Sequence, residues 1–223
     1  MERGLLKKAL VRYVAGVVLM GLLLFVPAGS FTWFHGWLMM GILFVPMLGA
    51  GIVMYYKAPD LLRSRLSVDE KETEQRQVIG YSGLMFIAAF VLAGLNERFH
   101  WTTLSAWMPY AASVIFLLGY LLFAEVLREN QYLSRTVEVQ EGQKVVDTGL
   151  YGIVRHPMYF ATVFLFLSMP LVLNCWPSFV IMLGYFPIIA KRIRNEEAVL
   201  EKELDGYAEY RKKVKYRLLP YIW

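Results

Sequence analysis

Long apolar segments are the feature that most limits how this chain can fold. Each of the first four is near the roughly 20 residues that a helix needs to cross a bilayer. They are Tyr13–Gly29, Trp33–Tyr56, Val78–Leu95 and Pro109–Leu127. A fifth block, Met158–Ala190, is too long for one span, and Asn174-Cys175-Trp176-Pro177 interrupts it. These polar and turn-forming residues predict two short helices joined by a turn.

The resulting fold class is an all-α, polytopic membrane helical bundle. Of the 223 residues, 57% are hydrophobic and 18% are charged, less than the quarter or so that is usual in soluble domains. We expect one domain with five or six transmembrane helices, of which the last two form a short helical hairpin. Residues 1–127 supply helices 1–4, and residues 128–223 supply a cytosolic loop, the hairpin and a C-terminal cytosolic helix.

The distribution of positive charge predicts the orientation. Of the 23 Lys and Arg residues, only Arg98 lies in the 96–108 loop. Six crossings would put the other 22 on one side, and positive loops face the cytosol. Both termini are therefore expected in the cytosol. The net charge of +5 is explained by this topology, so we expect no nucleic-acid partner.

Metal and disulfide chemistry is not indicated. Cys175 is the only cysteine, and the three histidines, His35, His100 and His156, are far apart in the chain. A metal site needs several such ligands close together. We expect neither an intramolecular disulfide nor a metal site.

The polar segment 128–156 ends in "GLYGIVRHPMY", residues 149–159. Pro157 suits the first position of a helix, which would place His156 at the N-cap and Arg155 just before it. The free N–H groups and the positive dipole end at a helix start attract anions. This stretch therefore predicts a site for a carboxylate or phosphate.

A second polar cluster, Lys191 to Glu197, follows the last apolar block. If the helix continues, Arg192 and Glu196 are neighbours on one face. Both arms of a hairpin return to the same membrane face, so this cluster can meet His156. The two clusters together predict a small-molecule pocket at the membrane boundary.

The two clusters together resemble the signature of the isoprenylcysteine carboxyl methyltransferase family, which membrane phospholipid N-methyltransferases share. The resemblance runs from about Ser134 to Trp223 and includes "VVDTGLYGIVRHPMY", Glu196-Glu197 and "ELDGYAEYRKKVKYRLLPYIW". It implies methyl transfer from S-adenosylmethionine in a pocket that is not a Rossmann fold.

The same resemblance implies the site residues. Arg192 would orient the methyl acceptor, and Glu196 or Glu197 would assist catalysis if the acceptor must lose a proton. The implied cofactor contacts come from the loop, the start of the hairpin and the last helix. They are Glu138, Gln143, Lys144, Val145, Val146, Tyr151, Arg155, His156, Pro157, Met158, Tyr159 and Glu196.

The acceptor would be lipophilic and would enter from the bilayer, among the membrane lipids. Carboxyl O-methylation of a prenylcysteine-like compound is the reaction that the family name implies. The first alternative is an N-methyltransferase acting on phospholipid ethanolamine. The sequence is also compatible with a reductase that uses a nicotinamide cofactor, related to sterol reductases, and with a non-catalytic transporter or assembly protein. The sequence leaves the oligomeric state open.

Overall fold

The computed structural model describes residues 3–66, 73–133 and 139–223. Within these ranges it contains α-helices, one 3-10 helix and no strand, which confirms the all-α prediction. The helices are α1 (Arg3–Ala28), α2 (Phe34–Lys57), α3 (Pro59–Arg65), α4 (Thr73–Phe99), α5 (Met108–Glu129), α6 (Pro157–Val172), α7 (Trp176–Met182), α8 (Tyr185–Glu203) and α9 (Tyr207–Lys213), with the 3-10 helix at Gly149–Gly152.

Four of the helices, α1, α2, α4 and α5, are long and apolar enough to cross a membrane. They correspond to the four predicted spans, and the chain is an integral membrane protein. The helices extend past the predicted spans: α1 begins at Arg3, ten residues earlier than expected. Arg and Lys are good helix formers, so the helix continues through Lys7 and Lys8.

Glycine residues let two pairs of helices pack closely, because glycine has no side chain to keep the backbones apart. A Cβ atom added to Gly119 of α5 would lie 3.1 Å from the Leu165 side chain of α6, and α5 packs more extensively on α6 than on any other element. A Cβ atom added to Gly94 of α4 would lie 2.5 Å from the carbonyl oxygen of Leu24 in α1. Small residues at these positions let the backbones approach closely, as is common in membrane bundles.

The predicted hairpin is confirmed, and its second arm contains a break that the sequence analysis did not foresee. Asn174 has a φ of 57°, and the N–H of Cys175 donates to the carbonyl of Pro170, which closes the turn after α6. Within the second arm, helix α7 ends at Met182 and helix α8 begins at Tyr185. Pro187 explains the interruption, because it has no N–H for residue 183 and its ring would clash with that carbonyl.

The site is positioned at one end of the bundle, where α2 and α5 end and α6 begins; we call this the basic end. Here α3 packs Leu61 against Val126 of α5, Leu133 and Tyr151. Helix α8 continues beyond the apolar block as a charged helix, as predicted. Residues 214–223, which we call the tail, follow α9 and lie against the start of α6, because the backbone N–H groups of Arg155 and His156 donate to tail carbonyls.

Candidate active site

A cleft open to solvent lies at the basic end, between the 139–152 loop, the start of α6, the charged half of α8, and α9. Its lining mixes aliphatic, aromatic and charged side chains. The lining residues are Asn130, Tyr132, Leu133, Gln143, Lys144, Val145, Val146, Tyr151, Arg155, His156, Met158, Tyr159, Arg192, Glu196, Leu200, Leu204, Tyr207 and Tyr210.

The start of α6 forms one wall of this cleft. His156 is the N-cap and Pro157 is the first helical residue, as predicted. The first intrahelical bond of this turn runs from the N–H of Phe160 to the carbonyl of His156. The N–H groups of Met158 and Tyr159 precede it and have no partner within the helix, since the first turn of any α-helix leaves its donors free. Both residues line the cleft, so these donors and the positive dipole end lie beside it.

Glu197 lies behind this wall as the centre of a buried ion cluster, which we call the Glu197 cluster. Arg155 donates from Nε to Glu197 Oε1 at 2.7 Å, and Arg217 of the tail donates from Nε to Glu197 Oε2 at 2.7 Å. His156 Nε2 lies 3.3 Å from Glu197 Oε1. The side chains of Arg155 and Glu197 are each 4% exposed. Burial disfavours the carboxylate, but the hydrogen bonds from His156, Arg155 and Arg217 outweigh that effect and hold the pKa of Glu197 well below its ordinary value.

The same cluster fixes the tail to the start of α6. Arg155 Nη1 donates to the carbonyls of Val214 and Lys215, each at 2.8 Å. The backbone N–H groups of Arg155 and His156 donate to the carbonyls of Tyr216 and Arg217, each at 2.9 Å. The imidazole of His156 is therefore oriented by its own backbone and by Glu197.

A second polar chain faces the cleft directly. Arg192 donates from Nε to the Tyr159 hydroxyl at 2.8 Å, and that hydroxyl donates to Glu196 Oε2 at 2.5 Å. Glu196 Oε1 lies 3.7 Å from His156 Nδ1. Two separate segments of the chain thus place a guanidinium, a phenol, a carboxylate and an imidazole around one space. Such a set can hold both a cationic and an anionic group of one ligand.

The loop wall is ordered by its own polar contacts. The N–H of Gln143 donates to the carbonyl of Gln140, and the Gln143 side chain accepts from the N–H of Gln140 at 2.9 Å. Gly142 completes this turn with a φ of 72°. Glu141 and Gly142 therefore form a turn in the loop wall.

Tyr151 connects the loop to two other elements. Its hydroxyl accepts a hydrogen bond from Asn130 at 3.0 Å, and its carbonyl accepts one from Tyr210 of α9 at 2.8 Å. Burial raises the pKa of Tyr151, which stays a neutral phenol. Its ring is thus fixed as part of the cleft wall.

Most of the predicted cofactor residues come together at this cleft. Ten of them line it, namely Gln143, Lys144, Val145, Val146, Tyr151, Arg155, His156, Met158, Tyr159 and Glu196. Arg192 lines it as well. Glu138 lies outside the described residues. Pro157 does not line the cleft; its ring faces a separate apolar groove instead.

Two expectations are corrected by the geometry. Glu197 was expected to assist at the reacting groups, but it is 3% exposed and both of its oxygens accept hydrogen bonds within the Glu197 cluster. Arg155 was expected to attract an anion, but Glu197 compensates its charge and tail carbonyls accept hydrogen bonds from its Nη1 group. Glu197 supports the wall from behind and Arg155 forms part of it, because a buried charge requires compensation within the protein.

Several lining residues were missed. They are Asn130, Tyr132, Leu133, Leu200, Leu204, Tyr207 and Tyr210. Tyr207 and Tyr210 lie three residues apart on α9, and that spacing, which puts two aromatic rings on one helical face, was the available signal. The others are aliphatic or polar residues in no pattern, so only tertiary contacts reveal them.

Comparison with known families supports this interpretation of the C-terminal half. Residues 111–202 match the model of the isoprenylcysteine carboxyl methyltransferase (ICMT) family. This region of the chain is ICMT-like. The ICMT-like region begins in α5 and includes the loop wall, the start of α6 and the Arg192–Glu197 segment of α8. The resemblance to this family is thereby confirmed.

Two curated relatives carry a different name. Delta(14)-sterol reductase TM7SF2 of Mus musculus is 30% identical over 91 residues, which is 40% of this chain and 22% of the relative. Delta(14)-sterol reductase of Arabidopsis thaliana is 27% identical over 125 residues, 49% of this chain and 33% of the relative. The matches thus span between a fifth and a third of the length of these relatives.

Proposed function

We propose that the protein is an S-adenosylmethionine-dependent methyltransferase that acts on a lipophilic acceptor, with its site and both termini on the cytosolic face of the membrane. The observation that most strongly supports this proposal is that four side chains meet at one cleft at the basic end: Glu196, His156, Tyr159 and Arg192. The ICMT-like region contains all four residues. Carboxyl O-methylation of a prenylcysteine-like compound is the reaction we favour.

The residues present fit the cofactor. Its ammonium and sulfonium groups need negative charge nearby, which the Glu196 carboxylate at the cleft can supply. Its carboxylate needs donors, which the free N–H groups of Met158 and Tyr159, next to His156 at the start of α6, can supply. In the described part of the chain, the backbone groups of Val145 and Val146 make no hydrogen bond, so they remain available to a heterocyclic base.

When bound, S-adenosylmethionine supplies an electrophilic methyl group. The contribution of the protein is then mainly to hold the acceptor oxygen in line with it, since positioning accounts for much of the catalysis of such displacements. Arg192 is suited to hold an acceptor carboxylate, because a guanidinium forms paired hydrogen bonds to that group. A carboxylate is already ionised near pH 7 and needs no base. Tyr159 would keep Arg192 in place through its hydroxyl.

The test separates binding from transfer. Purified protein in lipid nanodiscs is titrated with S-adenosylmethionine by calorimetry and then incubated with a labelled methyl donor and a farnesylcysteine acceptor. The variant Arg192→Ala is expected to bind the cofactor within about twofold of wild type while methyl transfer falls by about 10²-fold or more. Arg194→Ala is the matched control, because Arg194 is an exposed arginine on the same helix. Absence of cofactor binding by the wild-type protein refutes the proposal.

A reductase is the second candidate, because the two curated relatives are named Delta(14)-sterol reductases. The discriminating measurement is a fluorescence titration with reduced nicotinamide cofactor, run beside the S-adenosylmethionine titration. Saturable binding of the nicotinamide, with no binding of S-adenosylmethionine, would refute the methyltransferase proposal and favour a reductase.

An N-methyltransferase and a non-catalytic membrane protein are distinguished with the same preparation. Methyl label in phosphatidylethanolamine, and not in the farnesylcysteine, would identify an N-methyltransferase, for which Glu196 is the candidate proton acceptor. Unaltered transport or assembly activity of the Arg192→Ala variant, with no methyl transfer by the wild type, would identify a non-catalytic membrane protein.

A further inference from the structure

An apolar groove lies beside the start of α6 and shares no lining residue with the cleft. It is bounded by α5, the 149–157 segment, the first turn of α6 and the tail, and it encloses about 560 Å³ including its open mouth. All eight lining residues are apolar, among them Leu122, Phe160, Leu218 and Pro220. Empty apolar space of this kind is unfavourable in water and does not bind water well.

The groove is continuous with the lipid-facing surface of the bundle. On α5, Leu118 and Leu121 are 52% and 67% exposed, and Leu122 lies one turn after Leu118 on the same side. Leu122 is seven residues before the end of α5, which places it roughly 10 Å below that end. The stripe of exposed leucines therefore leads from the hydrocarbon region into the groove.

Exposed apolar residues lie at the mouth of the groove and in the tail after it. Ile153 lines the groove and is 54% exposed. In the tail, Tyr221 and Ile222 follow Pro220 and are 88% and 78% exposed. Exposed apolar residues grouped in this way mark a surface that contacts membrane or another apolar partner. Their position at the basic end of a membrane bundle favours the membrane.

We propose that one acyl chain of a membrane phospholipid occupies this groove. The occupant is a resident lipid and not the methyl acceptor, because the groove and the cleft have no lining residue in common. Within the 149–157 segment, Tyr151, Arg155 and His156 face the cleft, whereas Ile153 and Pro157 face the groove. The bound chain supports the segment and the tail from behind, and the inference does not depend on the reaction catalysed.

The test uses a phosphatidylcholine with a photoactivatable diazirine near the end of one acyl chain. The full-length protein is reconstituted in vesicles with this lipid, illuminated, digested and analysed by mass spectrometry. Adducts are expected at Leu218, which is 3% exposed and lines the groove. A protein labelled on Leu118 and Leu121 but not at Leu218 or Phe160 would overturn the proposal.

Matched variants locate the site. Ile153→Asp puts a charge at the mouth and is expected to lower the Leu218 adduct about tenfold, since burial of one aliphatic side chain is worth about that factor. Ile222→Asp introduces the same charge nearby without lining the groove, and its adduct should stay within about twofold of wild type. Ile153→Ala provides a milder change in the same direction if the aspartate variant folds poorly. Equal labelling in the Ile153 and Ile222 variants contradicts the assignment.

A second probe distinguishes the occupant. A photoactivatable isoprenoid thioether is expected to label cleft residues such as Met158 and to spare Leu218. Labelling of Leu218 by the isoprenoid, with none by the phospholipid, would assign the groove to an acceptor chain and overturn the proposal.

Discussion

Replacing Glu197 by Gln tests the role of the Glu197 cluster most directly. The amide keeps the shape of the side chain and one acceptor oxygen, but it removes the charge that compensates Arg155 and Arg217. If the oxygen remains with Arg155, the NH₂ group faces Arg217 Nε, which is also a donor and lies 2.7 Å from the carboxylate in the wild type. One charge-assisted hydrogen bond is lost, and Arg155 keeps an uncompensated charge at 4% exposure.

The expected loss of stability in Glu197→Gln follows from the burial of the ion pair. Breaking a buried ion pair by neutralising one partner costs about 3–5 kcal/mol. For a chain of this length, a loss of about 3 kcal/mol lowers the melting temperature by roughly 6–12 °C. The measurement is thermal unfolding of wild type and Glu197→Gln in the same detergent, followed by circular dichroism.

Glu201→Gln is the control, one turn further along α8. Glu201 pairs with Arg211 at 2.6 Å, but the two side chains are 48% and 40% exposed. Such exposed pairs contribute about 0–1 kcal/mol. If Glu197→Gln and Glu201→Gln shift the melting temperature equally, the reasoning from burial is refuted. Replacing Glu197 and Arg155 together by Leu and Met should recover part of the loss, because the buried charge of Arg155 is removed as well and only Arg217, which is 27% exposed, loses its partner.

Three further predictions concern the same region. Gly149→Ala should destabilise the protein by about 2 kcal/mol, because φ is 49° and the new Cβ would displace the Glu129 carboxylate, which accepts a hydrogen bond from the N–H of Leu150. Gly142→Ala, with φ 72° and open space, should cost only about 1 kcal/mol in the same denaturation assay. Equal losses would contradict the argument from the displaced carboxylate. Because the folded-state pKa of Glu197 is lowered, the carboxylate contributes fully to stability above about pH 4.5, and this contribution is lost as the pH falls below that value. Melting temperatures measured from pH 7 to 3 should therefore show an acid-dependent decrease in the wild type. The part of that decrease that is due to Glu197 should be absent in Glu197→Gln. Tyr159→Phe should lower methyl transfer about tenfold, because it removes the hydroxyl that connects the Arg192 guanidinium to the Glu196 carboxylate. Cofactor affinity should change little; label incorporation measures the first quantity and calorimetry the second. An unchanged rate would exclude a positioning role for Tyr159.

The cluster also shows how two adjacent carboxylates acquire different roles. Glu196 and Glu197 follow each other on α8, so their side chains point about 100° apart around the helix. Glu196 reaches the cleft, whereas Glu197 points into the protein and is surrounded by Arg155, His156 and Arg217. Their sequence context is nearly the same, and only the packing around α8 separates a carboxylate that lines the cleft from a structural one.

Some parts of the site were predictable because they depend on local rules. Pro157 after His156 determines a helix start with free donors, whatever surrounds it. The turn at Asn174 returns α8 to the same end of the bundle, and this brings His156 within reach of Glu196. Other parts were not predictable, because the tail reaches Arg155 and His156 through backbone carbonyls, which carry no sequence signal.

The sequence alone determined the membrane-spanning helices, the hairpin and the meeting of two polar clusters, because the length of apolar runs and the spacing of turns act locally along the chain. The tertiary structure decided which charges are compensated inside the protein and which face the cleft. The physical reason is burial: Arg155 and Glu197 neutralise each other only because the tail, α6 and α8 remove both from water, and no pattern within one segment records the contacts among three.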